Sequence, residues 1–138
     1  MRIADPLHKV GIGKLRIVTG GIYVLKDSLI QLPDAKAKDN RTKHEFRTVL
    51  VLPNQKLCDS YNCPCVLVAP LSTSLHIKAE SDLIIQKTAE NKLRSDSRAM
   101  LSYVQPVLKS DLKKHIGTLD DQQWDELMEQ IVWNFDRQ

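Results

Sequence analysis

The sequence predicts a mainly β fold: a small, tightly wrapped sheet or barrel with helices at its C-terminal end. Two near-continuous apolar runs, FRTVLVLP (46–53) and CPCVLVAPL (63–71), stand either side of a segment rich in Asn, Asp and Ser. Strands apolar on both faces must be covered on both sides, which a wrapped sheet achieves. From Ser110 onward the apolar period lengthens towards that of a helix, with a capping residue ahead of each helical segment.

Taken in order, residues 1–20 hold Gly11, Gly13 and Gly20 among short apolar pieces and read as an N-terminal arm. The packed domain is then set at 21–138. GIYVL (21–25) has the β-branched and aromatic content of a strand. The polar stretch 27–45, broken by Pro33, is longer than the roughly 12–15 residues at which loops in compact domains become functional or disordered. The run 46–53 ends at Pro53, which has no N–H for a ladder. Asn54, Asp59, Ser60 and Asn62 make the turn, and 63–71 is the return strand. SDLIIQ (81–86) and SRAMLSYVQPVL (97–108) are further strands, joined by the charged connection 87–96, and Pro106 ends the second. Ser110 caps a short helix that stops at Gly117. Asp120 caps the last helix, with Gln123 completing a capping box. There Trp124, Leu127, Met128, Ile131, Val132 and Phe135 share the face expected against the sheet, and Trp133 points away from it.

The chain of 138 residues is long enough for one core, and a net charge of +3 with 42% apolar residues is ordinary for a globular protein. Charge is informative only locally. Lys36, Lys38, Arg41, Lys43, His44 and Arg47 crowd one segment, and Asp120, Asp121, Asp125, Glu126 and Glu129 another. The basic segment suits a phosphate backbone or an acidic protein, and equally a solvated loop. No run reaches the roughly 18 apolar residues of a membrane span, and the N-terminus lacks a signal-peptide core, so a cytoplasmic protein is expected. Cys58, Cys63 and Cys65 are an odd set with no disulfide framework. With His44 or His76 they offer zinc-type ligands, but no C-x2-C pair is present and Cys65 begins a strand. Small buried or turn cysteines are the better account, and neither metal nor other cofactor is expected.

The most apolar run ends in three hydroxyls, Ser72, Thr73 and Ser74. Such a cluster either makes a turn by bonding nearby backbone or faces a site. No G-x-S-x-G elbow and no complete phosphate-binding glycine loop occurs. Antiparallel pairing of 46–53 with 63–71 would bring Arg47 beside Ser72 and Thr73 on one rim. A guanidinium and two hydroxyls there can bind a phosphodiester, and the planar Arg can stabilise a pentacoordinate transition state. From spacing alone, Arg47 also reads as a surface arginine at a strand edge.

These pieces resemble the MazF/PemK family of toxin ribonucleases. GIYVL resembles its opening G-x-[IV]-[WY] strand, FRTVLVLPN its R-P-[VA] strand and VLVAPLSTS its V-x-[VA]-x-P-[LIV]-[TS]-[TS] strand. VQPVLKSDL and IGTLDDQQWDELMEQIVWNF resemble the segments that close the domain. The resemblance implies an SH3-like barrel, a homodimer, metal-independent cleavage of single-stranded RNA through the ribose 2′-OH, and inhibition by an acidic antitoxin. It carries the family Arg to Arg47 and the hydroxyl pair to Ser72 and Thr73. His44 or Glu45 is the expected base, and Lys36, Lys38, Arg41, Lys43 and Gln105 the expected RNA contacts. Thr48 stands where the family has proline after Arg, Val107 where a basic residue follows Gln-Pro, and Ser102 and Val104 where one branch has Arg and Asp. Two alternatives follow: a CcdB-like gyrase poison, which Trp133 near the C-terminus suits, and a catalytically degenerate barrel that binds RNA or protein.

Overall fold

The computed structural model describes residues 15–33 and 44–137. Among the described residues seven strands are formed: β1 (Gly21–Lys26), β2 (Phe46–Val51), β3 (Cys65–Ser72), β4 (Leu83–Ile85), β5 (Ser97–Ala99), β6 (Gln105–Leu108) and β7 (Lys114–Thr118). They pair antiparallel in the order β4-β5-β3-β2-β1-β7, with β6 also on β3. The long β3 has two neighbours along one edge. Its first half pairs with β6, from Cys65 opposite Leu108 to Val68 opposite Gln105. Its end pairs with β5, Ser72 opposite Arg98. This division curls the sheet into a half-barrel.

Side chains alternate across the strands and build two cores. Tyr23, Leu25, Val49, Val51, Val66 and Val68 fill one. Ile22, Leu50, Ala69, Leu71, Ile85 and Ala99 fill the other, where the terminal helix Asp121–Asn134 supplies Leu127. Its capping box forms as the sequence predicts: Gln123 N donates to Asp120 Oδ1 at 2.7 Å, and Asp120 N to Gln123 Oε1 at 3.3 Å.

Four expectations change. Residues 15–20 are part of the packed unit rather than of an arm: Ile17 is buried, Gly20 N donates to Val51 O, and Tyr23 Oη donates to Arg16 O. The short helix expected over 110–117 is instead a 3-10 turn, Lys109–Asp111, followed by β7. β7 completes the free edge of β1, a long-range pairing that overrides local helix propensity. A Cβ on Gly117 would lie 2.4 Å from Asn91 O, so the glycine serves close packing and not a helix stop. The strand expected over 97–108 is two, divided by the 3-10 turn Leu101–Tyr103. On the terminal helix, Trp124, Leu127 and Ile131 pack inward, whereas Met128, Val132 and Phe135 join Trp133 at the surface. The turn 54–62 also contains a short helix, Gln55–Asp59, capped by Asn54.

Candidate active site

Asp27 follows β1 directly and opens the 3-10 turn Asp27–Leu29. Its backbone N–H donates to Glu45 O at 3.0 Å, and its Oδ2 accepts from His44 N at 3.2 Å. The chain on both sides of the 34–43 segment is thereby tied to one residue. Asp27 Oδ1 takes a 2.7 Å hydrogen bond from Arg47 Nε, and Arg47 Nη1 donates to Leu71 O at 2.9 Å. The side chains of Arg47 and Asp27 are 11% and 3% exposed. Arg47 is therefore not a freely exposed surface arginine: it is a partly buried, charge-assisted anchor between the ends of β1, β2 and β3. Its third nitrogen, Nη2, has no partner among the described residues.

The register of β2 on β3, Val49 opposite Pro70 and Leu50 opposite Ala69, extends to bring Arg47 level with Ser72. Ser72 Oγ accepts from Ser74 N at 3.1 Å, so the hydroxyl also makes the turn chemistry the sequence allows. A second buried ion pair fixes the same turn. Arg98, across from Ser72 on β5, donates from Nε to Ser74 O at 2.9 Å and from Nη1 to Asp82 Oδ2 at 3.0 Å. Asp82 Oδ2 accepts from Ala79 N as well.

Strand alternation divides the expected hydroxyl pair. Arg47 and Ser72 belong to the face of Val49 and Val68, while Thr48 and Thr73 line a cleft of about 310 Å³ on the other side, with the 92–97 segment and Ile116. Thr73 follows the end of β3 and lines this cleft together with Thr48. His44 and Glu45 are exposed beside the Asp27 anchor, reached by backbone bonds only. Lys36, Lys38, Arg41 and Lys43 lie outside the described residues. Gln105 spends its amide on backbone: Oε1 accepts from Gln31 N at 2.8 Å, and Nε2 donates to Gln31 O and Tyr103 O. It latches the segment leading into 34–43 to β6. Val107, at the position of the family's basic residue, is buried in the first core, and Ser102 and Val104 are exposed.

Sequence reasoning missed Asp27, Asp82 and Arg98. The available signal was a charged residue placed against an apolar strand: Asp27 at the end of GIYVLK and Arg98 inside SRA. Among the described residues no three His, Cys, Asp or Glu side chains gather as a metal site, and no helix is long and apolar enough to cross a membrane.

Residues 29–135 match the family model described as PemK-like, MazF-like toxin of type II toxin-antitoxin system. Among solved structures, the Mycobacterium tuberculosis toxin MazF-mt6 is similar at 22% identity and a TM-score of 0.62, covering 86% of this chain and 98% of that one. A second Mtb toxin is 27% identical at a TM-score of 0.56, over 64% of this chain and 92% of its own. An endoribonuclease from a mycobacterial species, in complex with its cognate antitoxin, matches at 10% identity and a TM-score of 0.58, over 86% and 91%. No curated protein matches by sequence. These likenesses carry the fold, a curled antiparallel sheet with a C-terminal helix.

Proposed function

Because the chain belongs to the PemK-like, MazF-like family of type II toxin-antitoxin toxins, we propose that it is a metal-independent endoribonuclease that cuts single-stranded RNA. The observation that carries this reading is the Arg47 guanidinium, held by Asp27 and Leu71 O at the end of β3 level with Ser72.

In this reaction the ribose 2′-OH attacks its own 3′ phosphate, and the enzyme supplies a base, a stabiliser of the extra negative charge and a proton for the leaving 5′-oxygen. Arg47 is the stabiliser. Asp27 offsets much of its net charge, so it acts chiefly through directed N–H groups fixed before substrate arrives, which need no reorganisation in the transition state. Ser72 orients a phosphate oxygen beside it. His44 or Glu45 is the base, and His44 shares the Asp27 anchor with Arg47. Substrate and antitoxin compete for Lys36, Lys38, Arg41 and Lys43, so RNA affinity falls with salt. The partners are single-stranded RNA, an acidic antitoxin and a second copy of the chain, met in the cytoplasm.

The test is incubation of the purified protein with single-stranded RNA in EDTA. New ends carrying 2′,3′-cyclic phosphate support the reading. A second reading, gyrase poisoning, is favoured by the exposed Trp133 at the end of the terminal helix and Phe135, its C-cap. Trapped cleaved DNA with intact RNA would decide for it.

A further inference from the structure

We propose that the cleft behind Thr73 is a nucleotide subsite that holds one base and one phosphate of single-stranded RNA next to the cut position. The inference rests on the ribonuclease reading, since RNA is its ligand.

Four observations carry it. The first is position: Thr73 lines the cleft and is the next residue after Ser72, which is level with Arg47, so the cleft opens one residue along the chain from the proposed cut position. Size is the second: about 310 Å³ lies at the lower end of the roughly 300–1,000 Å³ of small-molecule sites, room for about one nucleotide. The third is chemistry. Leu93 and Ile116 give apolar wall for a base, Thr48 and Thr73 hydroxyls for its edge, and Lys92 and Arg94 cations for a phosphate. Neither cation has a carboxylate partner among the described residues, whereas Arg16, Arg47 and Arg98 all do.

The last is construction. Lys92 has φ +56°, the left-handed region that a non-glycine residue adopts at a cost of order 1 kcal/mol, and it is the sole non-glycine case among the described residues. That conformation is enforced from below by Asn91, which is fully buried. Its Oδ1 accepts from Thr88 N and Leu93 N, and its Nδ2 donates to Gln86 O and Gln123 Oε1. Asn91 O also sits where any Cβ on Gly117 would be. A buried amide, a capping residue of the terminal helix and a glycine of β7 together hold Lys92 and Arg94 at the cleft mouth. A solvated connection requires no such framework.

The experiment uses the full chain and a fluorescent single-stranded 20-mer fully 2′-O-methylated, which binds but cannot be cut. Amide shifts report where it sits, and anisotropy reports affinity as a function of salt. The variant is Lys92→Asn with Arg94→Ser, since Asn tolerates the left-handed conformation, with the thermal midpoint confirming the fold. We expect shifts at Thr73 and residues 93–97, a loss of affinity of at least about tenfold in the variant, and a salt slope shallower by about 0.7, the value for one phosphate of a single strand. Thr48→Val, which removes one hydroxyl from the base's edge, should weaken binding and change the base preferred at one position of the cut-site map; an unaltered preference and affinity count against the subsite. A parent that binds RNA while these amides stay still, with an unaltered slope in the variant, overturns the subsite, as does absence of RNA binding or a response to an acidic peptide alone. A parent that fills the cleft with RNA and cuts none removes the ribonuclease reading and keeps the subsite. One that cuts RNA with KM unchanged in the double variant does the reverse.

Discussion

Asp27 Oδ1 and Arg47 Nε are 2.7 Å apart, in a pair whose side chains are 3% and 11% exposed. One carboxylate thus bonds His44 N and sets the orientation of the arginine on which the proposed chemistry depends. Structure and the proposed catalysis are joined at this pair, so a single substitution there is expected to disturb both.

Arg47→Met is expected to lower stability by about 3–5 kcal/mol, because it leaves Asp27 buried without its guanidinium. Adding Asp27→Asn removes the buried carboxylate charge that has lost its guanidinium and should recover part of that loss in a denaturant titration. Cleavage should stay lost in both proteins, assayed at a temperature where both are folded. Recovery of RNA cutting in the double variant would show that Arg47 only serves the fold.

The second pair makes a different claim. Asp82→Asn keeps an acceptor for Ala79 N but strips the carboxylate from Arg98, whose side chain is 8% exposed. A loss of about 3–5 kcal/mol is expected. Ser72→Ala, which removes only the acceptor of Ser74 N, should cost about 1 kcal/mol. Equal thermal midpoints for these two variants would contradict the assignment of Arg98 as the anchor of the hydroxyl turn.

Much of the sheet is legible in the sequence. The runs at 46–53 and 63–71 pair as their apolar continuity implies, and Asp120 with Gln123 caps the helix as their spacing implies. The segment 110–117 was not legible, because its helical pattern is local while the free edge of β1 that claims it lies some 90 residues away. In the site, the placing of Arg47 level with Ser72 is an extension of the β2–β3 register. What Arg47 bonds does not follow from it: the partner Asp27 lies across a 20-residue separation that no periodicity encodes.

The three thiols should differ in reactivity. Burial pushes the Cys58 thiol up from its ordinary value, while Cys63 and Cys65 are half-exposed. An alkylating reagent at pH 8 should label Cys63 and Cys65 well before Cys58, as mass spectrometry of timed samples would record. A thiol whose folded pKa is raised adds stability that is full below its unfolded pKa, roughly 8.5, and is lost as pH rises through the folded value. Cys58→Ala should therefore flatten the decline of stability on the alkaline side. First labelling at Cys58 would contradict its burial.

The most direct measurement is cleavage of a single-stranded RNA in EDTA beside the same strand carrying 2′-deoxyribose at the mapped cut position. The account predicts that the all-ribose strand is cut to a 2′,3′-cyclic phosphate end, that the substituted strand resists at that position, and that Arg47→Met cuts neither. Cutting at the deoxy position, or activity that disappears on chelation and returns with zinc, would contradict it.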